Sequence, residues 1–360
     1  MVLLCVLMSV PVEADSGGKS VSGKTPKSVW ELTRDWPLPP PGPPGLADKV
    51  IVYIGEDLRN GGILGVGVGV REAAQNIGWK VSFFDIGAND TQRETILRRA
   101  LKLQPDGVIL GSMDAVKNAR FLTLFDTANI SVVGWHVAPN PGPVKNSPIR
   151  WNVATNSAEV AKVAANYVIE DSDGKAGVVI FTDSRFAIAT KKTRGMAEII
   201  RACEKCQLLE VIDLPLNRAC EMMPEVTQEL IQKYGDKWQY SLAINDLYFD
   251  YATPTLVINN RPPEGPPVNI SAGDGSPSAL LRIRYASYQQ ATIPEPLILQ
   301  GWQLVDELNR IMQGDSPSGY QYPPIVITEK NIWPQGDRAY LFDPENGYRQ
   351  AYRKIWKKDE

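Results

Sequence analysis

KVIVYIGE (49–56), GVGVGVREAAQNIGWKV (65–81) and KVSFFDIG (80–87) are the stretches whose reading decides the fold. The first is apolar and β-branched at nearly every position, as in a strand covered on both faces; one-sided burial would leave alternation. The second has helical length and ends at Gly78, a natural helix stop. The third is a strand again. A strand, a helix and a strand in succession pair the two strands in parallel, because a parallel neighbour is reached only through a long crossover.

The unit then recurs. TQRETILRRALKLQ (91–104) precedes DGVILG (106–111), and VKNARFLTLFDTA (116–128) precedes ISVVGWH (130–136). AEVAKVAANYVIED (158–171) precedes AGVVIFTD (176–183). The second half repeats the theme with TRGMAEIIRACEKC (193–206), LLEVIDLP (208–215), PEVTQELIQKYG (224–235), SLAIND (241–246) and VNISAGDG (268–275). So many strands exceed one comfortable sheet, so the expected fold class is α/β, with two doubly wound, Rossmann-like lobes and a cleft between them. Open α/β sheets bind ligands beyond the carboxyl ends of their strands. That singles out 56–60, 112–114, Trp135, His136, 183–185, Asn245, Asp246 and Asp274.

Composition removes several function classes. With 43% hydrophobic and 22% charged residues, the chain is globular, and a formal net charge of -3 argues against nucleic acid as a partner. Cys5, Cys203, Cys206 and Cys220 lack two-pair zinc spacing, and His136 is the only histidine, so no metal site is expected. The glycines from Gly61 to Gly69 do not form a dinucleotide loop directly after a strand; no cofactor is expected, and close approach of a ligand or the facing lobe is the better reading. No serine elbow supports a catalytic triad, so the chain reads as a non-enzyme. CEKC (203–206) ends a helix, where a local disulfide suits an oxidising compartment, with Cys220 left over, buried and inert.

Both ends stand apart from the repeated pattern. MVLLCVLMSVPVEAD (1–15) holds an apolar run too short to span a membrane and ends at a Val-Glu-Ala site. Residues 1–14 are expected to be a truncated signal peptide, which puts the mature chain in the periplasm. Residues 15–46, which include WPLPPPGPPG (36–45), read as a flexible arm that favours polyproline II, with folded structure beginning near Ala47.

Seven segments together resemble the type I periplasmic binding proteins of sugar importers, especially the ribose-binding branch. They are VIVYIGEDLRNGGILGVGVGVREAAQNIGWKVSFFD (50–85), PDGVILGSMDA (105–115), ISVVGWH, TKKTRGMAEIIRA (190–202), LAINDLYFDYAT (242–253), NISAGDGSPSALLRI (269–283) and ATIPEPLILQGWQLVDELNRIMQG (291–314). The resemblance implies three hinge crossovers, near Asn156, near Glu295 and Pro296, and over 323–325. It implies a first lobe of 49–155 plus 296–324 and a second lobe of 156–295 plus 325–360.

It also implies a binding site residue by residue. Asn60 matches a polar ligand contact after the first strand, while Gly62 and Ile63 stand where the family carries aromatics. His136 and Val137 replace an acid–arginine pair, and Lys192 replaces an arginine. Asn245 and Asp274 agree with the family, and Glu295 stands where it has a glutamine. Trp135, with Trp151 second, is the candidate for covering the apolar face of a sugar ring. Asn245 and Asp274 also suit turn or cap duty, and Lys192 a solvated helix face.

The implied function is capture of a sugar or polyol by a monomer that delivers it to an ABC permease in the inner membrane. The alternative is a periplasmic sensor presenting its bound state to a membrane histidine kinase. That alternative draws on the proline-rich arm and on the aromatic-rich tail after Ile327.

Overall fold

A computed structural model describes residues 27–332 and 341–357, so the expected signal peptide lies outside the described residues. A short helix α1 (Val29–Arg34) precedes the first lobe. That lobe comprises β1 (Val50–Gly55), α2 (Gly61–Ile77), β2 (Lys80–Asp85), α3 (Asp90–Leu101), β3 (Gly107–Gly111), α4 (Ala119–Thr127), β4 (Ser131–Trp135) and β5 (Ile149–Val153). Its five strands lie in the order β2-β1-β3-β4-β5, all parallel.

The second lobe runs through α5 (Ser157–Asp171), β6 (Gly177–Thr182), α6 (Ala187–Ala202), β7 (Gln207–Asp213), α7 (Ala219–Tyr234), β8 (Tyr240–Ala243), α8 (Leu247–Ile258), β9 (Val268–Ser271), α9 (Pro277–Arg284) and β10 (Ala291–Thr292). Three elements follow: α10 (Leu297–Met312), β11 (Ile327–Thr328) and α11 (Tyr348–Trp356). The second sheet has the order β11-β10-β9-β8-β6-β7, parallel except where β11 pairs antiparallel with β10. These are two α/β lobes of mainly parallel strands.

Local chemistry explains the helix boundaries. Asn60, Asn89, Asn156 and Ser276 each accept backbone N–H bonds at the starts of α2, α3, α5 and α9, and Gly78 closes α2 in the left-handed region at φ 85°. Strand β5 has no counterpart in the sequence reading. Its IRWNV pattern exposes Arg150 at the edge of the sheet and lacks the continuous apolar run of the central strands.

The chain leaves the first sheet between Val153 and Ser157, returns after Thr292 to lay α10 on the first lobe, and reaches the second sheet again at β11. The tail, however, does not stay with the second lobe as expected. Helix α11 packs on α10 and α2, so the chain crosses once more. The reason is apolar area: Trp302 of α10 stacks on Trp356 with centroids 5.4 Å apart, Tyr352 stacks on both, and Tyr348 meets Trp302 edge-on. Trp356 Nε1 donates to Asp306 (2.8 Å), whose other oxygen takes Arg310 Nε (2.7 Å).

Over its described residues, 27–46, the proline-rich arm is likewise not a flexible lead-in. It includes α1, where Val29 and Thr33 are buried, and Trp36 stacks on Tyr322. Prolines have no N–H to offer but keep their carbonyls as acceptors. Donors from α10 meet them: Arg310 reaches Pro40 and Pro41 (3.0 and 3.1 Å), Asn309 reaches Pro44 (3.2 Å), and Gln313 also reaches Pro44 (2.9 Å). Tyr320 and Asn346 both donate to the Pro37 carbonyl. Helix α10 is therefore buried from Leu297 through Arg310, with α2 on one side and the arm and tail on others.

The glycine series now has an explanation. A Cβ on Gly301 would sit 2.5 Å from the Gly69 carbonyl carbon, and one on Gly65 would strike Leu297. Close helix crossing between α2 and α10 requires these positions to be small.

Trp356→Ala should lower stability by about 3 to 5 kcal/mol, since it empties a stacked site and leaves Asp306 without one donor. Guanidinium unfolding checks this; an unchanged midpoint would mean that the tail contributes nothing to the first lobe.

Candidate functional site

Strand ends from both lobes converge on an inner chamber of about 40 Å³, lined by Asn60, Ile63, Trp135, His136, Lys192, Asn245 and Asp274 among others. Asn60, Ile63, Trp135 and His136 come from the first lobe, and Lys192, Asn245 and Asp274 from the second. The lobes touch here: a Cβ on Gly62 would lie 2.5 Å from Asp274 Oδ2 and 2.9 Å from Trp135.

Each side chain is held by its own local geometry. Asn60 caps α2, its Oδ1 accepting from Gly62 N (2.9 Å) and Ile63 N (3.2 Å). His136 has φ 53°, in the left-handed region that non-glycine residues seldom enter. That turn breaks strand alternation, so the imidazole of His136 stacks on its neighbour Trp135 with centroids 3.7 Å apart. Asp274, at φ 46°, turns likewise after β9; its Oδ2 accepts from Asn245 Nδ2 (2.5 Å). Asp246 braces that loop from below, accepting from Gly275 N, Ser276 N, Gln289 and Thr292. Lys192 is only 3% exposed and donates to the Ala272 carbonyl (2.8 Å), so it is no solvated helix charge.

Glu295 was expected to line the pocket, but it sits behind the wall, 1% exposed. Its Oε2 takes donors from Thr155 and from Gln300 Nε2 (2.6 Å), and Gln300 in turn accepts Trp135 Nε1 (2.7 Å). Its Oε1 faces Lys192 Nζ at 3.5 Å and His136 Nε2 at 3.4 Å. The histidine approach is close enough for an ion pair but misaligned for a hydrogen bond, and both His136 Nε2 and Glu295 Oε1 lack a hydrogen-bond partner. Trp151 is remote from the cleft; it borders a groove near Pro148 and Pro317 at the opposite end of the first sheet. Residues that the sequence reading missed are Phe186 and Leu216, which also line the chamber, and Thr155 and Gln300, which hold Glu295. These are ordinary residue types in their segments, and only long-range contact marks them.

The electrostatics follow from burial. Desolvation pushes the Asp274 carboxyl up to about 7, with Lys192 pulling the other way. Desolvation would raise Glu295 too, but the His136 contact, the Lys192 charge and the Thr155 hydrogen bond together hold it below the usual carboxylate range. Burial lowers His136, against the pull of Glu295.

The chamber opens outward into a larger one of about 550 Å³, with which it shares Asn60, Ile63, Ser112, Phe186 and Leu216. Cys203 and Cys206 are bonded, far from this space, whereas Cys220 is free and exposed on the outer chamber instead of buried as expected. Its place at the first turn of α7 leaves it facing the cleft.

The profile described as Periplasmic binding protein domain matches residues 51–316. A glucose-galactose binding protein, GanP, from Geobacillus stearothermophilus has a similar structure: TM-score 0.69, 20% identity, covering 79% of this chain and 99% of that one. An ABC transporter solute binding protein from Agrobacterium vitis with bound allitol has TM-score 0.66 and 16% identity, covering 85% and 99%. A Caulobacter myo-inositol binding protein bound to myo-inositol has TM-score 0.66 and 17% identity, covering 79% and 94%. At such identities these likenesses show a shared fold. Among curated proteins, none matches the chain by sequence.

The raised carboxyl of Asp274 has a defined sign in stability. Between the ordinary value of 3.8 and about 7 the folded state holds a proton there that the unfolded state has lost, so this group's contribution falls as pH rises through that window. Asp274→Asn should remove that dependence, so the variant gains melting temperature relative to wild type from pH 4 to 7. Parallel curves would show that Asp274 is ionised throughout.

Proposed function

This chain belongs to the periplasmic binding protein domain family, and on that premise we propose that it captures a small polyhydroxy ligand, a sugar or polyol, between its lobes and delivers it unchanged to an ABC importer. The observation that carries the reading is the interlobe cleft of about 550 Å³, whose narrow inner end is lined by Lys192, Asn245 and Asp274 from one lobe and by the stacked Trp135 and His136 from the other. Sugar hydroxyls both donate and accept, so a vicinal diol suits an ammonium donor beside a carboxylate and an amide. The stacked Trp135 and His136 close the inner end of the cleft, and Phe186, Leu216 and Ile63 supply apolar lining for the ring carbons. Glu295 lies behind this wall and acts as a positioning residue, orienting Lys192 and, through Gln300, Trp135.

Three similar structures are described as a glucose-galactose binding protein, a protein with bound allitol and one bound to myo-inositol, which supports the ligand class. A bonded Cys203–Cys206 pair suits work outside the cytoplasm. The sensor alternative drew on the arm and the aromatic tail as a partner surface. Their described aromatics are packed on the first lobe, so transport is the reading retained.

A thermal-shift screen of pentoses, hexoses and polyols tests the proposal, since a ligand that binds only the folded state raises its melting temperature. At least one should do so. Asp274→Ala should then weaken that ligand roughly ten- to a hundredfold, the loss of a charge-assisted hydrogen bond, while the fold survives. No shift across the whole panel would sink the ligand class, and unchanged affinity in the variant would reduce Asp274 to a turn residue.

A further inference from the structure

The proline-rich arm and α1 before it grip the segment that runs from α10 to β11, where the chain passes from the first lobe to the second sheet. On the near side of that crossing, Trp36 stacks on Tyr322 with centroids 5.2 Å apart and meets Phe342 of the tail edge-on at 5.9 Å. Tyr320 donates to the Pro37 carbonyl (2.8 Å), and Asn346 of the tail donates to the same carbonyl (2.9 Å) and to the Tyr320 hydroxyl (3.1 Å). Burial, and then the charge of Glu295, push the Tyr322 hydroxyl well above its usual value, so the residue under Trp36 also senses the carboxylate at the hinge.

On the far side, Val29 N donates to the Asn331 carbonyl (2.9 Å). Asn331 is itself folded onto β11: its Oδ1 accepts from Thr328 N (2.8 Å), and its Nδ2 donates to the Val326 carbonyl (2.7 Å). Strand β11 belongs to the second sheet through β10. One apolar cluster spans the junction, joining Leu299 and Trp302 of α10 to Ile283 of α9 and Ile327 of β11, with Val29 and Trp36 as members. The lobes are in contact while these bonds are made. Lys117 Nζ of the first donates to the Ser184 carbonyl of the second (3.0 Å), Asp114 Oδ2 accepts from Ala187 N (3.4 Å), and Gly62 abuts Asp274.

Opening the cleft turns β11 and α9 away from α10, and one short helix cannot follow both. Either the Val29 bond or the Trp36 stack must give, exposing apolar area that is buried here. We propose that α1 and the arm brace the hinge from outside, with Val29 and Trp36 holding the lobes near the closed arrangement. They are positioning residues that strengthen ligand binding without touching the cleft. The effect on affinity rests on the reading of the cleft as a ligand site; the effect on lobe opening does not.

Spin labels on the native Cys220 and on Gln92→Cys, at the first turns of α7 and α3 on opposite lips of the cleft, measure the opening of the ligand-free chain by double electron–electron resonance. Cys203 and Cys206 are bonded and take no label. The parent should give one short distance. Trp36→Ala should lengthen and broaden it, and Trp36→Phe, which keeps a ring on Tyr322, should restore it. Val29→Ala should move it the same way, and carries the test should Trp36→Ala not fold. For a sugar or polyol that raises the melting temperature, calorimetry on unlabelled protein should show about tenfold weaker binding to Trp36→Ala, as when the closed fraction falls to about a tenth, with recovery in Trp36→Phe. An unchanged distance in the alanine variants, even with a lowered melting temperature, would reduce the arm to a structural cover and overturn the brace while the ligand reading stands. Unchanged affinity despite a lengthened distance would also overturn it. A panel without a binder would sink the ligand class, and the ligand-free distances would still decide on the brace.

Discussion

A single buried carboxylate ties the lobes of this protein together. Glu295 lies on the second crossover and accepts from Thr155 on the first, while Gln300 at the start of α10 donates to the same oxygen. Its other oxygen faces Lys192 of one lobe and His136 of the other. An ionised carboxylate withdrawn from water costs several kcal/mol unless neighbours compensate it, so the hinge segments, α6 and the end of β4 are constrained to meet at one point. The wall of the inner chamber inherits its geometry from that constraint: Lys192 is aimed by Glu295 and Ala272, and Trp135 by Gln300.

Helix α10 is the second organising element. It lies on the first lobe against α2, which is possible only because Gly69 and Gly301 let two backbones approach. Such a helix would ordinarily keep one polar face in water, and here that face carries Asp306, Glu307, Asn309 and Arg310, all buried. The arm and tail cover them and satisfy them. Proline carbonyls take the donors of Asn309 and Arg310, Ser318 donates to Glu307, and Trp356 donates to Asp306. A segment with few N–H groups is thus suited to a helix face rich in donors. Apolar stacking of Trp302, Tyr352 and Trp356 supplies the area that holds the tail in place.

The alternation of apolar runs with helical stretches was legible because each strand of these parallel sheets is covered on both faces, and that burial is written locally in VIVYIG, GVILG and GVVIFT. Strand-end positions were legible for the same topological reason, which is why Asn60, His136, Asn245 and Asp274 could be named from sequence and do border one chamber. Composition misled at the termini, since a proline-rich stretch looks unstructured when its acceptors have no visible donors. Trp151 and Cys220 were misplaced because a residue type carries no address.

By itself, then, the sequence determined the α/β class, the two lobes and the strand ends at which a ligand site would form, all consequences of periodicity within windows of some twenty residues. Tertiary structure alone decided that Glu295 stands behind the wall instead of in it, that the tail returns to the first lobe, that Lys192 is buried, and that the cleft has a large outer chamber. Each of these depends on which groups distant along the chain satisfy one another's charge, hydrogen-bonding valence or apolar area, and such pairings leave no periodic trace in the residues between them.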